Sequence, residues 1–173
     1  MAIAGTEKAL TVDADVVFHY FLFTSGKPLP NGLKVSRIRD FCTCIIDKFP
    51  IAINRFIRTQ YEELLGLELV RLWIHERFKN NKAINVCRKR LERDIRFCLR
   101  GDYGFDITSM DRWYLETCFN TIFKHLITEN TEHFKRPHRS KGRKTMCQFL
   151  ENKLNILVYT IDECCINLLD ETR

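Results

Sequence analysis

Proline and glycine are scarce in this 173-residue chain, at four and seven residues, and the sequence has no internal repeat and no low-complexity tract. Long apolar runs are absent too. Charges interrupt each one well before the roughly 20 residues that a membrane span needs. The opening MAIAGTEKAL also lacks the basic-then-apolar order of a signal peptide. The expectation is therefore a soluble, cytoplasmic protein with no membrane partner. There are eight cysteines but no Cys-x-x-Cys knuckle; the close pairs are Cys42 with Cys44 and Cys164 with Cys165. Reduced, buried thiols are expected in preference to disulfides or structural zinc. Also missing are a Gly-x-Ser-x-Gly turn, a phosphate-binding glycine loop and a His-Glu-x-x-His helix, the signatures of nucleophilic-serine, P-loop and zinc-protease chemistry.

What remains is a composition of 45% apolar and 29% charged residues, which at this length fits one domain with a substantial core. Its 28 basic residues against 22 acids give a net charge of +6, suited to a polyanionic partner.

Strand and helix signals alternate along the chain. KALTVD (8–13) reads as a short buried strand followed by a helix over about 14–23, and SGKPLPNG (25–32) then breaks the chain. Val35, Ile38, Phe41, Cys42, Ile45 and Ile46 recur at helical spacing ahead of Pro50. FPIAI (49–53) is the next strand, and Asn54 can cap a long helix running through IRTQYEELLGLELVRLWIHERF. Residues 83–99 read as an arginine-rich helix. Thr108 or Ser109 can cap a further helix with Asp111 in its first turn, where the helix dipole favours an acid. NILVYTID (155–162) is the last strand. Alternation of this kind predicts an α/β fold with a central, mostly parallel sheet between helical layers, and ligands gather at the carboxyl ends of such strands.

Asp13 and Asp162 both fall at predicted strand ends. Carboxylates that converge repel one another unless protons or a cation intervene. Mg²⁺ or Mn²⁺ is the natural counterion, because each prefers oxygen ligands and retains water.

The order of elements resembles that of the PIN-domain nucleases. LTVDADVVF supplies Asp13 and a following helix, TSMDRWYLETCF looks like the later helix with Asp111, and LVYTIDECC looks like the final strand with Thr160 and Asp162. The family's second acid commonly precedes a tyrosine, but Gln60 stands in that slot before Tyr61. Glu63, about one helical turn on, is the substitute acid, with Gln60 as its amide neighbour, whereas Glu62 points elsewhere. The resemblance implies a three-layer PIN-like domain spanning residues 1–173, with a basic loop or insertion at about 130–150. It further implies metal-dependent hydrolysis of phosphodiesters in RNA or single-stranded DNA, with Asp13, Glu63, Asp111 and Asp162 as catalytic and metal-holding acids and Gln60 and Thr160 supporting them. A small antitoxin-like protein and a second copy of the chain, as a homodimer, are the implied protein partners.

Two basic segments could guide a nucleic-acid backbone. CRKRLERDIRFCLR (87–100) contributes Arg88, Lys89 and Arg93; KRPHRSKGRK (135–144), which contains no acid, contributes Lys135, Arg136, Arg139, Lys141, Arg143 and Lys144. The aromatic residues, thirteen of them phenylalanine, read as core rather than as base-stacking platforms. Two rival readings stand beside the nuclease. One is a binding module that keeps the fold with a degenerate acidic site, for which Gln60 speaks. The other is a helical interaction protein whose acids are only caps and turns.

Overall fold

The structure is a computed structural model that describes residues 8–30, 34–106, 110–140 and 142–169, apart from the side chains of residues 131 and 169. Among the described residues, five short strands form the sheet: β1 (Thr11–Val12), β2 (Ile51–Ile53), β3 (Ala83–Asn85), β4 (His125–Ile127) and β5 (Leu157–Tyr159). All pairings are parallel. β1, β4 and β5 make one ladder and β2 with β3 another. The Leu10–Ile51 bridge joins the two: Leu10 N–H donates to Pro50 O at 2.9 Å and Ala52 N–H to Leu10 O at 2.8 Å. The strand order is thus β3-β2-β1-β4-β5. β1 occupies the centre, as its complete burial requires.

The first half of the chain builds away from β1 to one edge of the sheet. Helix α1 (Ala14–Thr24) follows β1 directly. Helix α2 (Val35–Asp40) then continues into a π-helical segment, Phe41–Ile46, which is closed by an Asp47 N–H bond to Cys42 O at 3.1 Å. Phe41, Cys42, Ile45 and Ile46 are all buried there, so the segment's apolar spacing sets its inward face. After β2, the expected long helix is two helices, α3 (Arg55–Leu65) and α4 (Leu67–Lys79). The break is Gly66, whose φ of 92° and ψ of 144° lie where L side chains are strained. Asn54 does cap α3: its Oδ1 accepts from Phe56 N–H at 3.0 Å and Ile57 N–H at 3.1 Å.

Residues 83–99 are not one helix. Asn81 adopts a left-handed turn (φ 55°) after α4, Ala83–Asn85 pair with β2, and the helix starts only at Arg93, giving α5 (Arg93–Tyr103). Sheet pairing overrides the helical pattern of this stretch. Helix α6 (Asp111–Cys118) packs against β1 and β4. The proposed caps Thr108 and Ser109 lie outside the described residues. The chain then forms β4, a strand that the sequence reading did not identify, followed by α7 (Thr131–Phe134), α8 (Met146–Leu154), β5 and α9 (Ile161–Leu169). Helix α8 opens with a reciprocal capping box between Thr145 and Gln148. Among the described residues, no helix is long and apolar enough to cross a membrane.

All eight cysteines are free. Burial pushes the Cys42 and Cys118 thiols up to about 12, so both remain protonated packing residues.

Candidate active site

In this strand order the chain reverses direction between β1 and β4. Their carboxyl ends therefore frame the crevice where open parallel sheets bind ligands. Asp13 is the first residue after β1 and the residue before α1. Its N–H donates to Ile127 O at 2.9 Å, and its Oδ2 accepts from Thr128 Oγ1, just after β4, at 2.7 Å. Asp13 is only 7% exposed. Burial raises its carboxyl to about 6, the Thr128 bond opposes the rise, and the neighbouring charges of Asp15 and Asp111 add to it.

Two tyrosines clip the neighbouring helices to this corner. Tyr61 of α3 donates its hydroxyl to Val12 O at 2.6 Å, and Tyr114 Oη of α6 accepts the Ala14 N–H at 3.2 Å. Burial, followed by the charge of Asp13, lifts both phenols well above their ordinary range, so they stay neutral. Asn54 Nδ2 donates to Thr117 Oγ1 at 2.7 Å and ties α3 to α6. These clips aim Gln60 and Glu63 from α3, and Asp111 from α6, toward Asp13.

The result is a cleft of about 300 Å³ lined by Asp13, Asp15, Gln60, Glu63, Asp111 and Asn130, with Tyr114 in its wall. Gln60 Nε2 donates to Glu63 Oε2 at 3.0 Å. Asp111 Oδ2 sits 2.5 Å from His133 Nδ1, which is also 3.1 Å from Asn130 Nδ2. Glu62 turns away to pair with Arg58 at 2.7 Å.

Three of the four expected acids, Asp13, Glu63 and Asp111, thus share one cleft. Asp162 is not part of its lining. It lies in the first turn of α9, half exposed, 3.9 Å from Arg37. Thr160 does not support the cleft either, because its Oγ1 accepts from Glu163 N–H at 3.1 Å while Glu163 Oε2 accepts from Thr160 N–H at 2.9 Å. That exchange is a helix-capping box. The sheet order explains both placements: β5 is an edge strand and β4 separates it from β1. The corresponding strand-end residues beside β1 are Thr128 and Asn130, which the sequence reading missed. The Thr-x-Asn at the end of HLITEN was the available signal.

Among the described residues, no three His, Cys, Asp or Glu side chains are grouped so as to hold a metal ion. Asp15 and Asp111, which both raise the Asp13 carboxyl, nevertheless give a donor set of the right chemistry for a hard cation. Mg²⁺ is commonly held by only one or two carboxylates with water completing its shell. Asp13 and Asp111 are the carboxylates of this lining that could hold such an ion with water, and a four-carboxylate cage is not formed among the described residues.

The expected nucleic-acid contacts divide. Arg88 is committed to the fold: its Nε lies 3.1 Å from the buried Glu116, which Arg112 also approaches at 3.6 Å, and its guanidinium covers the Phe56 ring at 4.3 Å. Lys135 pairs with Glu163 at 2.8 Å, and Arg136 donates to Gly104 O at 2.8 Å. Lys89 lies 5.3 Å above the Phe119 ring. Arg93, Arg139, Arg143 and Lys144 are exposed, and among the described residues none has a carboxylate within 4 Å. Lys141 lies outside the described residues.

No family model matches the chain, and neither the curated proteins nor the solved structures contain a match to it.

Proposed function

We propose that this protein is a PIN-like ribonuclease that uses Mg²⁺ or Mn²⁺ to hydrolyse unstructured RNA in the cleft between β1 and β4. The observation that carries the reading is a nearly buried carboxylate, Asp13, at the reversal point of a parallel sheet, with Asp111, Asp15 and Glu63 around the same opening. Right-handed crossovers in a β3-β2-β1-β4-β5 sheet would put α1 to α4 on one face and α5 to α8 on the other, giving the three-layer arrangement of that family. A bound cation would supply charge neutralisation at the phosphate and a water of lowered pKa.

The chain's own groups do the rest. Thr128 orients the Asp13 carboxylate and Gln60 orients Glu63. His133 holds Asp111 in place through the contact of its Nδ1 with Asp111 Oδ2. The Asn130 and Gln60 amides can donate to phosphate or ribose oxygens without adding repulsive charge.

A second reading, a nucleic-acid-binding module with a degenerate site, is favoured by Gln60 and Asn130 standing where acids would strengthen metal binding, and by the lack of a three-acid group among the described residues. One assay separates the two. The wild-type protein is expected to cleave an unstructured RNA oligonucleotide with Mn²⁺ and to be silent in EDTA. Tight RNA binding without Mn²⁺- or Mg²⁺-dependent cleavage would establish the second reading instead.

A further inference from the structure

Helix α5 buries Leu99 and Tyr103 and turns an unusual stripe outward. Arg93, Arg96, Phe97 and Arg100 stand at i, i+3, i+4 and i+7, the spacing of a single helix face. Phe97 is 60% exposed, and the only other exposed aromatic side chain among the described residues is Phe78, at 39%. The Arg93 guanidinium lies 5.3 Å from the Phe97 ring centroid. Across the stripe, a shallow cavity of about 650 Å³ is lined by Phe97, Arg100, Gly104 and Arg139. Gly104 takes φ 65°, a conformation that L side chains rarely adopt, and the flexible end of Arg139 lies over it. Among the described residues none of these four arginines has a carboxylate within 4 Å, and Arg96 Nε has no hydrogen-bond partner.

Phe97 is not among the side chains packed against the core, and its ring stands in water beside guanidiniums that no carboxylate neutralises. We infer that this face is a track for single-stranded RNA, with Arg93, Arg96, Arg100 and Arg139 on the phosphates and one base stacked on Phe97. Aromatic faces accept any base, and arginines neutralise the backbone without reading sequence. In sequence the track precedes the cleft closely: Asp106 borders the cavity, and Met110 and Asp111 border the proposed active site. The inference rests on the nucleic-acid reading above and adds where the strand lies outside the cleft.

The test is fluorescence anisotropy of a labelled, unstructured 15-nucleotide RNA of A and U with the full chain, in EDTA so that cleavage plays no part. Phe97→Ala is expected to weaken binding about tenfold or more at fixed salt, Phe97→Trp to retain it, and Arg96→Glu with Arg100→Glu to flatten the salt dependence, whose log–log slope for four phosphate contacts is about −3. Wild-type affinity in Phe97→Ala, loss in Phe97→Trp equal to that in Phe97→Ala, equal affinity for an RNA duplex, or equal affinity for polyglutamate would overturn the assignment. So would an absence of RNA binding. If binding follows the expected pattern while Mn²⁺ produces no cleavage, the track stands and the nuclease reading fails. If RNA is cleaved but Phe97→Ala binds normally, only the track fails.

Discussion

Asp13→Asn is expected to abolish RNA cleavage while making the protein more stable at pH 8, by on the order of 2–3 kcal/mol, and no more stable at pH 4. The carboxyl of Asp13 titrates near 6 in the fold against 3.8 in the open chain. Between those values the native state holds a proton that the unfolded state releases, so stability falls as pH rises through this window. About two pH units at 1.36 kcal/mol each set the size of the loss. Asparagine carries no charge to bury at any pH, and its amide oxygen can still accept the Thr128 hydroxyl. The variant therefore escapes the loss above pH 6 and gains nothing below 4. Thermal or urea denaturation of the metal-free proteins from pH 4 to 8 reads it. A variant less stable than the parent at pH 8 would show that the ionised Asp13 is a structural asset and not a strained functional group.

Glu116→Ala carries the second large effect. Glu116 is 1% exposed and lies against two guanidiniums, Arg88 at 3.1 Å and Arg112 at 3.6 Å. Neither contact has hydrogen-bond geometry, so charge attraction dominates both. Removing the carboxylate leaves the Arg88 and Arg112 guanidiniums without the negative charge they share, with Arg88 resting over the Phe56 and Trp113 rings. Breaking a fully buried pair costs about 3–5 kcal/mol. The two arginine side chains here keep a fifth to a quarter of their surface in water, so a loss of about 2–3 kcal/mol is expected in urea denaturation. A change under about 0.5 kcal/mol would mean that solvent already screens the cluster and would return Arg88 to the list of RNA contacts.

Much of the site could be read from residues alone, and the parts that could not share a cause. Asp13 stood out because an apolar strand runs straight into an acid and then a helix. Asn54 announced a cap, and Asp111 a helix first turn. The spacing from Gln60 to Glu63 placed both on one face, and the cleft contains both. Thr160 and Asp162 misled because a strand ending in Thr-x-Asp looks the same whether the strand is central or at an edge; only pairing decides, and β4 takes the place beside β1. Glu163, three residues after Thr160, was the local sign of a helix cap. β4 itself is three residues long, and residues 83–85 are strand only because β2 offers partners. Periodicity marks a helix face without saying which way it points, so the spacing alone does not tell the exposed Phe97 from a core residue.

The central claim is that the acids around Asp13 form a cleft completed by a divalent cation. Its most direct test is the melting temperature of wild-type and Asp13→Asn proteins at pH 7.5 with 0 and roughly 5 mM MnCl₂, a concentration chosen to exceed a millimolar Kd. Mn²⁺ is expected to raise the wild-type transition and to leave that of Asp13→Asn nearly unmoved. Equal shifts in both proteins, or none in either, would contradict it.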